Sequence, residues 1–406
     1  MPVGERSNDA RIAEGASLER ERARVWLVPG LIGLVALGLA CLLGFSSPAR
    51  RSDFFHAYLH SYTYFLSLAL GALGFVLIMH LTRAGWSVAI RRVAEVVARA
   101  VVPLAPLGLL LIFGLQDLYE WSRPDVVAHD ALLQHKAVWL NPTFFIVRVA
   151  GYFAIWISLT SFFLRASVNQ DRSGDPGLTL WMESAAAPGV IVYAVTLTMA
   201  AFDLIMSLSP HWYSTIFGVY YFAGCFLGFL AFAVVLLHFL HARGYLAHVL
   251  HAEHRHDLGK LMFAFVTFWA YIAFSQYMLI WYANLPEETV WYEARQHGPW
   301  LASSLVLLAG HFILPFLVLL SRNVKRRAAT LVAAAAWLLF MHWFDLFYLV
   351  MPDTRPSGSP FRIFDLLCFV GIGGIFLAGI LRRLRRVSLI PARDPRLAES
   401  LSAEHA

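Results

Sequence analysis

FDLIMSLSPHWYST, residues 202–215, and FDLFYLVMP, residues 344–352, share a frame: Phe-Asp-Leu at the end of an apolar run, with a proline seven residues after the aspartate. Working outward from these two stretches gives the organisation of the chain. Pro142 opens the apolar run that precedes the first stretch, and Pro299 opens the one that precedes the second. Tyr64-Phe65 with Leu70-Gly71 returns as Tyr221-Phe222 with Leu227-Gly228. A sequence repeat of this kind, carried on membrane-length helices, predicts two bundles in parallel orientation, because an even number of crossings preserves direction.

Composition names the solvent. Of 406 residues, 59% are hydrophobic and 14% charged, with 31 Phe, 15 Tyr and 13 Trp, more apolar surface than a water-soluble core conceals. About ten segments reach the roughly 20 residues that cross a bilayer as helix. They run near 25–45, 57–82, 97–116, 142–165, 188–208, 215–241, 259–282, 299–320, 328–350 and 362–381. The expected fold is an all-α integral membrane protein: two parallel four-helix bundles plus a flanking helix on each side. The divisions are a tail at 1–24, a flanking helix at 25–56, bundles at 57–213 and 214–352, a flanking helix at 353–382 and a basic tail at 383–406.

With the N-terminal tail inside, the inner loops and tails collect about 24 of the 32 basic residues against about 7 outside. This bias predicts a multi-pass membrane protein with both termini cytoplasmic. The pI of 9.3 then reflects topology and contact with membrane lipids, with no nucleic acid as partner. The first 24 residues balance Arg against Glu and Asp and lack an apolar core, unlike a signal peptide. Cys41, Cys225 and Cys368 stand alone, which excludes CxxC metal and CxxCH haem motifs. Phosphate loops and hydrolase elbows are absent from the sequence.

Ionisable groups inside spans are expensive and mark function or pairing. The candidates for a proton path or quinone site are Asp203, Asp345, His342, Arg148 and His60 toward the outer side, with His311, His80 and His238 leading inward. Arg148 calls for a carboxylate, Asp203 or Asp345. His56, His60 and Tyr64 share a helix face, as do His342 and Asp345. Asp365 suits a helix N-terminus. Only His80 and His238 match in depth as axial haem ligands, and for His60 and His342 helix–helix hydrogen bonding is the plainer alternative. The loop HARGYLAHVLHAEHRHDLGK, residues 241–260, places His248 and His251 on one face beside His254 and His256, a surface cluster more than a metal site. Trp212 and Tyr213 are expected as interfacial anchors, and Ser214 or Thr215 as cap of the sixth span.

Four runs carry a family likeness: DLIMSLSPHWYSTIFGVYYFAG (203–224), SQYMLIWYANLPEETVWY (275–292), HWFDLFYLVMP (342–352) and SLALGALGFVLIMHLTRAGWSVAIRR (67–92). They resemble the F subunit of alternative complex III, a bacterial quinol:electron-acceptor oxidoreductase, within the NrfD or polysulfide-reductase membrane-subunit superfamily. The likeness covers roughly residues 54–382. It implies a structural subunit of the bacterial inner membrane without covalent cofactor, with proton conduction or contact with quinone or menaquinone as its further role. Haem and iron–sulfur centres are expected only in its partners: a paralogous NrfD-like C subunit, an iron–sulfur subunit, and pentahaem and monohaem cytochrome c subunits. Three other readings compete: an NrfD-type quinol-oxidising anchor for another iron–sulfur partner, a secondary transporter, whose site belongs near the midplane, and an assembly scaffold without protonic chemistry, whose buried charges would pair completely.

Overall fold

The computed structural model describes Leu18 and residues 24–355 and 361–402; most of the expected N-terminal tail lies outside the described residues. Among the described residues every regular element is helical, and ten helices are long and apolar enough to cross a membrane: α1 (Leu27–Gly44), α2 (Pro48–Leu81), α3 (Gly85–Phe113), α4 (Pro142–Ser173), α5 (Gly177–Leu208), α6 (Phe217–Ala242), α7 (Ala252–Ala283), α8 (Gly298–Leu320), α9 (Ala328–Val350) and α10 (Ile363–Leu384). In a bilayer each unpaired peptide group would cost several kcal/mol, so apolar runs of this length close their hydrogen bonds within one helix. Local chemistry sets several starts. Ser47 and Asn141 accept from the backbone N–H three residues on, each followed by a proline at the first helical position.

Helices α2–α5 pack in a closed ring, each against the next and α5 back on α2, and α6–α9 repeat the pattern. The rings meet chiefly along α2 and α6, which are the most buried spans. Gly71 makes that approach possible: a Cβ there would lie 2.0 Å from the Cys225 carbonyl oxygen. Helices α1 and α10, one at each end of the eight-helix block in sequence, meet in space beside α2. A Cβ on Gly33 would fall 2.7 Å from the Gly371 carbonyl oxygen, so this crossing also rests on small residues.

After α10 the chain folds back over the basic end of the first bundle. Asp394 pairs with Arg91, and the Ser400 hydroxyl donates to the Trp86 carbonyl and accepts from the Ala89 N–H. Beneath it Arg92 is fully buried, 3.1 Å from Glu95 and 2.7 Å from Asp171. The tail is thus tied to α3 by the ion pair Arg91–Asp394 and by hydrogen bonds at Ser388 and Ser400 that composition alone does not reveal.

At the opposite end, residues 114–141 form short helices clasped to the 205–213 turn. Tyr119 Oη donates to the Leu204 carbonyl, Trp121 Nε1 to Ser207 and Lys136 Nζ to Pro210, at 3.0, 3.1 and 2.6 Å. Trp212, expected at the membrane interface, is buried and stacks on Trp291 at 4.5 Å between ring centroids. Tyr213 does lie exposed. Helix α6 starts at Phe217 without a side-chain cap, because Ser214 Oγ donates instead to Gln276 Oε1 at 2.9 Å.

Candidate functional site around Asp345

The two repeated aspartates have different surroundings. In the first bundle Arg148 donates Nε to Asp203 Oδ2 at 2.9 Å and Nη2 to Oδ1 at 2.8 Å, the two-pronged geometry of a guanidinium on a carboxylate. Tyr152 Oη adds a hydrogen bond to Asp203 Oδ2 at 2.8 Å, and Arg148 Nη1 donates to the Trp139 carbonyl at 2.7 Å. Trp139 and Phe144 cover the guanidinium, at 4.3 and 4.5 Å from ring centroids. Every charge here has a partner, which is the arrangement of a pin between α4 and α5.

Asp345 is as deeply buried, yet no cation pairs with it among the described residues. Its oxygens accept from Tyr220 Oη and, at 3.2 Å, from Trp269 Nε1. Counting from Pro142 and Pro299, the residue of α8 matching Arg148 is Leu305. The repeat therefore supplies two neutral donors where the first bundle has a guanidinium. A buried carboxylate without a counter-charge is costly within a membrane span, which marks it as a functional candidate.

Three buried histidines, on α2, α8 and α9, have under-used nitrogens, and the one on α9, His342, precedes Asp345 by three residues. His342 Nε2 lies 2.7 Å from Ser67 Oγ, whose own proton is directed to the Tyr64 carbonyl at 2.6 Å. The imidazole therefore donates through Nε2, and its Nδ1 is buried without a partner. His60 donates Nε2 to the Trp343 carbonyl at 2.9 Å and likewise leaves Nδ1 unmatched. His311, against Trp269 at 4.0 Å between ring centroids, has neither nitrogen matched. Gly224 and Gly228 on α6 make room for His342, since Cβ atoms there would lie 3.0 and 2.7 Å from its ring. Buried polar atoms left over in this way are commonly met by internal water.

Beside this cluster is a cleft of about 700 Å³ between α7 and α8, roofed by the Pro286–Gln296 helix. Its rim is apolar and exposed at Phe274, Leu301, Leu305 and Leu308, so it opens sideways toward lipid. Its interior carries polar tips. Gln276 Nε2 donates to Tyr292 Oη at 3.0 Å, and Ser304 Oγ meets Tyr348 Oη at 3.0 Å. Tyr220 and Trp269 form the inner wall, which puts Asp345 directly behind it. Outside the spans, burial pushes the Tyr292 hydroxyl well above the ordinary phenol range, so it stays a neutral donor. An aromatic slot with a few convergent polar groups is the general form of a small-molecule site.

One wall of the cleft is a π-helical turn, Leu308–Ile313. Pro315 has no N–H to return to Gly310 in the five-residue register, and Trp337 Nε1 occupies that carbonyl at 2.7 Å. The proline read from the sequence thus widens α8 at the level of His311.

The remaining candidates fall elsewhere. His80 is buried in the first bundle against Phe163 of α4, 5.2 Å between ring centroids. His238 is exposed and lines a cleft of the second bundle. The depth match that suggested paired haem ligands is therefore not accompanied by a facing pair. The histidine-rich stretch splits: Ala252 begins α7, so His254 and His256 are helical while His248 lies in the preceding turn. Among the described residues no group of three or more His, Cys, Asp or Glu is arranged to hold a metal. Asp365 takes a role beyond capping, accepting the Arg362 N–H at 2.7 Å and a two-pronged pair from Arg355 at 2.9 and 3.0 Å.

Sequence reasoning missed Tyr220, Trp269, Tyr292, Ser304 and Tyr348. Each is an aromatic or hydroxyl residue in a run already rich in such residues, and only the cleft singles them out. No protein-family profile matches the chain, and no curated protein matches its sequence.

Proposed function

We propose that this chain is a membrane subunit of a respiratory quinol:electron-acceptor oxidoreductase of the alternative complex III type. The observation that carries this reading is Asp345: a buried carboxylate without a cation, set behind the wall of an aromatic cleft open to lipid. A quinol is a lipid-borne aromatic diol, and its chemistry needs hydrogen-bond acceptors and somewhere to put protons. In this reading the cleft is where quinone or menaquinone touches the chain. Asp345, His342, His60 and His311, with internal water, move protons beside it. Asp203 and Arg148 hold the first bundle rigid. Electrons travel through partner subunits: the iron–sulfur subunit, the NrfD-like C subunit and the cytochromes c. The protein sits in the bacterial inner membrane with its basic end cytoplasmic.

The packing favours a subunit over a secondary transporter. Alternating access works by rocking one repeat against the other around a site between them. Here the repeats are locked at Gly71 on the Cys225 carbonyl, and the cleft opens between two helices of one bundle.

Affinity purification of the tagged protein from native membranes in mild detergent tests the proposal. Multihaem cytochrome and iron–sulfur subunits should accompany it in near-equal amounts, seen by mass spectrometry and haem absorbance. A chain that purifies alone, stable and colourless, refutes it.

A further inference from the structure

A second cleft, of about 150 Å³, lies at the basic end between α6, α7 and α9. Its chemistry is the reverse of the first. Along its depth it is walled by Val234, Leu237, Leu331 and Val332, while His238, His241 and Arg255 stand at its mouth. The order follows from helical spacing: His238 is one turn beyond Val234, and His241 one turn beyond Leu237. Apolar wall and basic rim therefore run along the same face of α6.

The rim has unspent hydrogen-bonding capacity. Arg255 donates Nε to the Arg326 carbonyl at 3.3 Å, and no carboxylate pairs with its guanidinium among the described residues. His241 Nδ1 is buried without a partner, and His238 is exposed. His254, also in the lining, is already engaged, with Nδ1 accepting from the His251 N–H and Nε2 against Ser400 Oγ. No carboxylate lines the cleft. The nearest ones in sequence are matched elsewhere, Glu253 with Arg326 and Asp257 with Lys260 at 2.6 Å.

We infer that this cleft is a specific site for an anionic membrane phospholipid, with the phosphate at Arg255, His238 and His241 and an acyl chain against the apolar walls of α6 and α9. Charge and polarity both select this occupant. A phosphodiester matches a guanidinium flanked by imidazoles, and the apolar depth begins one helical turn further in, where a lipid becomes hydrocarbon. The inference is independent of any redox role.

The test uses the purified full-length chain in a neutral detergent, with thermal unfolding and native mass spectrometry as readouts. Three probes are added in turn: phosphatidylglycerol, phosphatidylcholine of the same acyl chains, and inorganic phosphate. The expected result is retention of, and stabilisation by, phosphatidylglycerol alone. In R255Q/H238Q the affinity for phosphatidylglycerol should fall at least about fivefold, the worth of one basic residue near a membrane surface. V332F, which narrows the apolar part and leaves the rim intact, should weaken lipid binding as well. Equal stabilisation by both lipids, equal binding of inorganic phosphate, or undiminished selectivity in R255Q/H238Q overturns the proposal.

Discussion

Asp203 and Asp345 occupy matching places, and the groups around them make opposite predictions for the same substitution. Asp203→Asn strands a buried guanidinium, which costs about 3–5 kcal/mol. The variant should unfold at lower temperature or fail to accumulate, and Arg148→Met combined with Asp203→Leu should recover most of that loss. Asp345→Asn leaves no charge behind and keeps an acceptor for Tyr220 Oη. Its amide nitrogen would face Trp269 Nε1, so it should fold within about 1–3 kcal/mol of the parent, while under the proposed function proton-coupled quinol turnover drops by about 100-fold or more. Normal turnover in that variant removes Asp345 from any proton path. A third carboxylate lies outside the membrane. The Leu133 N–H and then His211 hold Asp130 below the ordinary carboxylate range. Its contribution is therefore present above about pH 4 and lost as pH falls further. Protection factors of the amides across residues 124–140, measured against the intrinsic exchange rate at each pH, should hold from neutral pH down to that point and then fall, and Asp130→Asn should abolish the pH step.

Helices meet where side chains permit, and two elements depend on single residues. Gly71→Ala drives a Cβ into the Cys225 carbonyl, backbone that cannot rotate away, so α2 and α6 must separate. A loss of about 1–3 kcal/mol is expected in denaturant unfolding. Gly38→Ala, at a site with nothing within 4 Å, should be neutral and serves as the control. In α8 the π turn holds because Trp337 takes the Gly310 carbonyl. Trp337→Phe leaves that carbonyl unmatched and should cost about 1–3 kcal/mol, with the change in hydrogen exchange confined to residues 305–315.

Across the whole molecule, charge and polarity are sorted by end. The Arg322–Arg326 helix and the arginines that close α10 lie at one end, and the clasped Pro210 turn at the other. A cysteine placed at His211 should react with a membrane-impermeant maleimide on intact cells, and one at Arg322 only after the membrane is opened. The reverse labelling pattern inverts the topology and with it the side of the membrane on which Asp345 lies.

Apolar runs of bilayer length, proline-marked starts and the twice-written Phe-Asp-Leu frame were enough to give ten helices and their grouping in fours, because hydrocarbon thickness and backbone hydrogen bonding act locally. The need of Arg148 for a carboxylate was legible too, since a cation at that depth has few alternatives. Which aspartate it takes was decided 55 residues away, in the folded bundle. The same holds for Tyr220 and Trp269 on Asp345, Ser67 on His342, Trp212 buried on Trp291, and the C-terminal segment tied to Arg91. A helix can be read from its own residues, but a contact between helices depends on how near two backbones come, and that is set jointly by all the side chains between them.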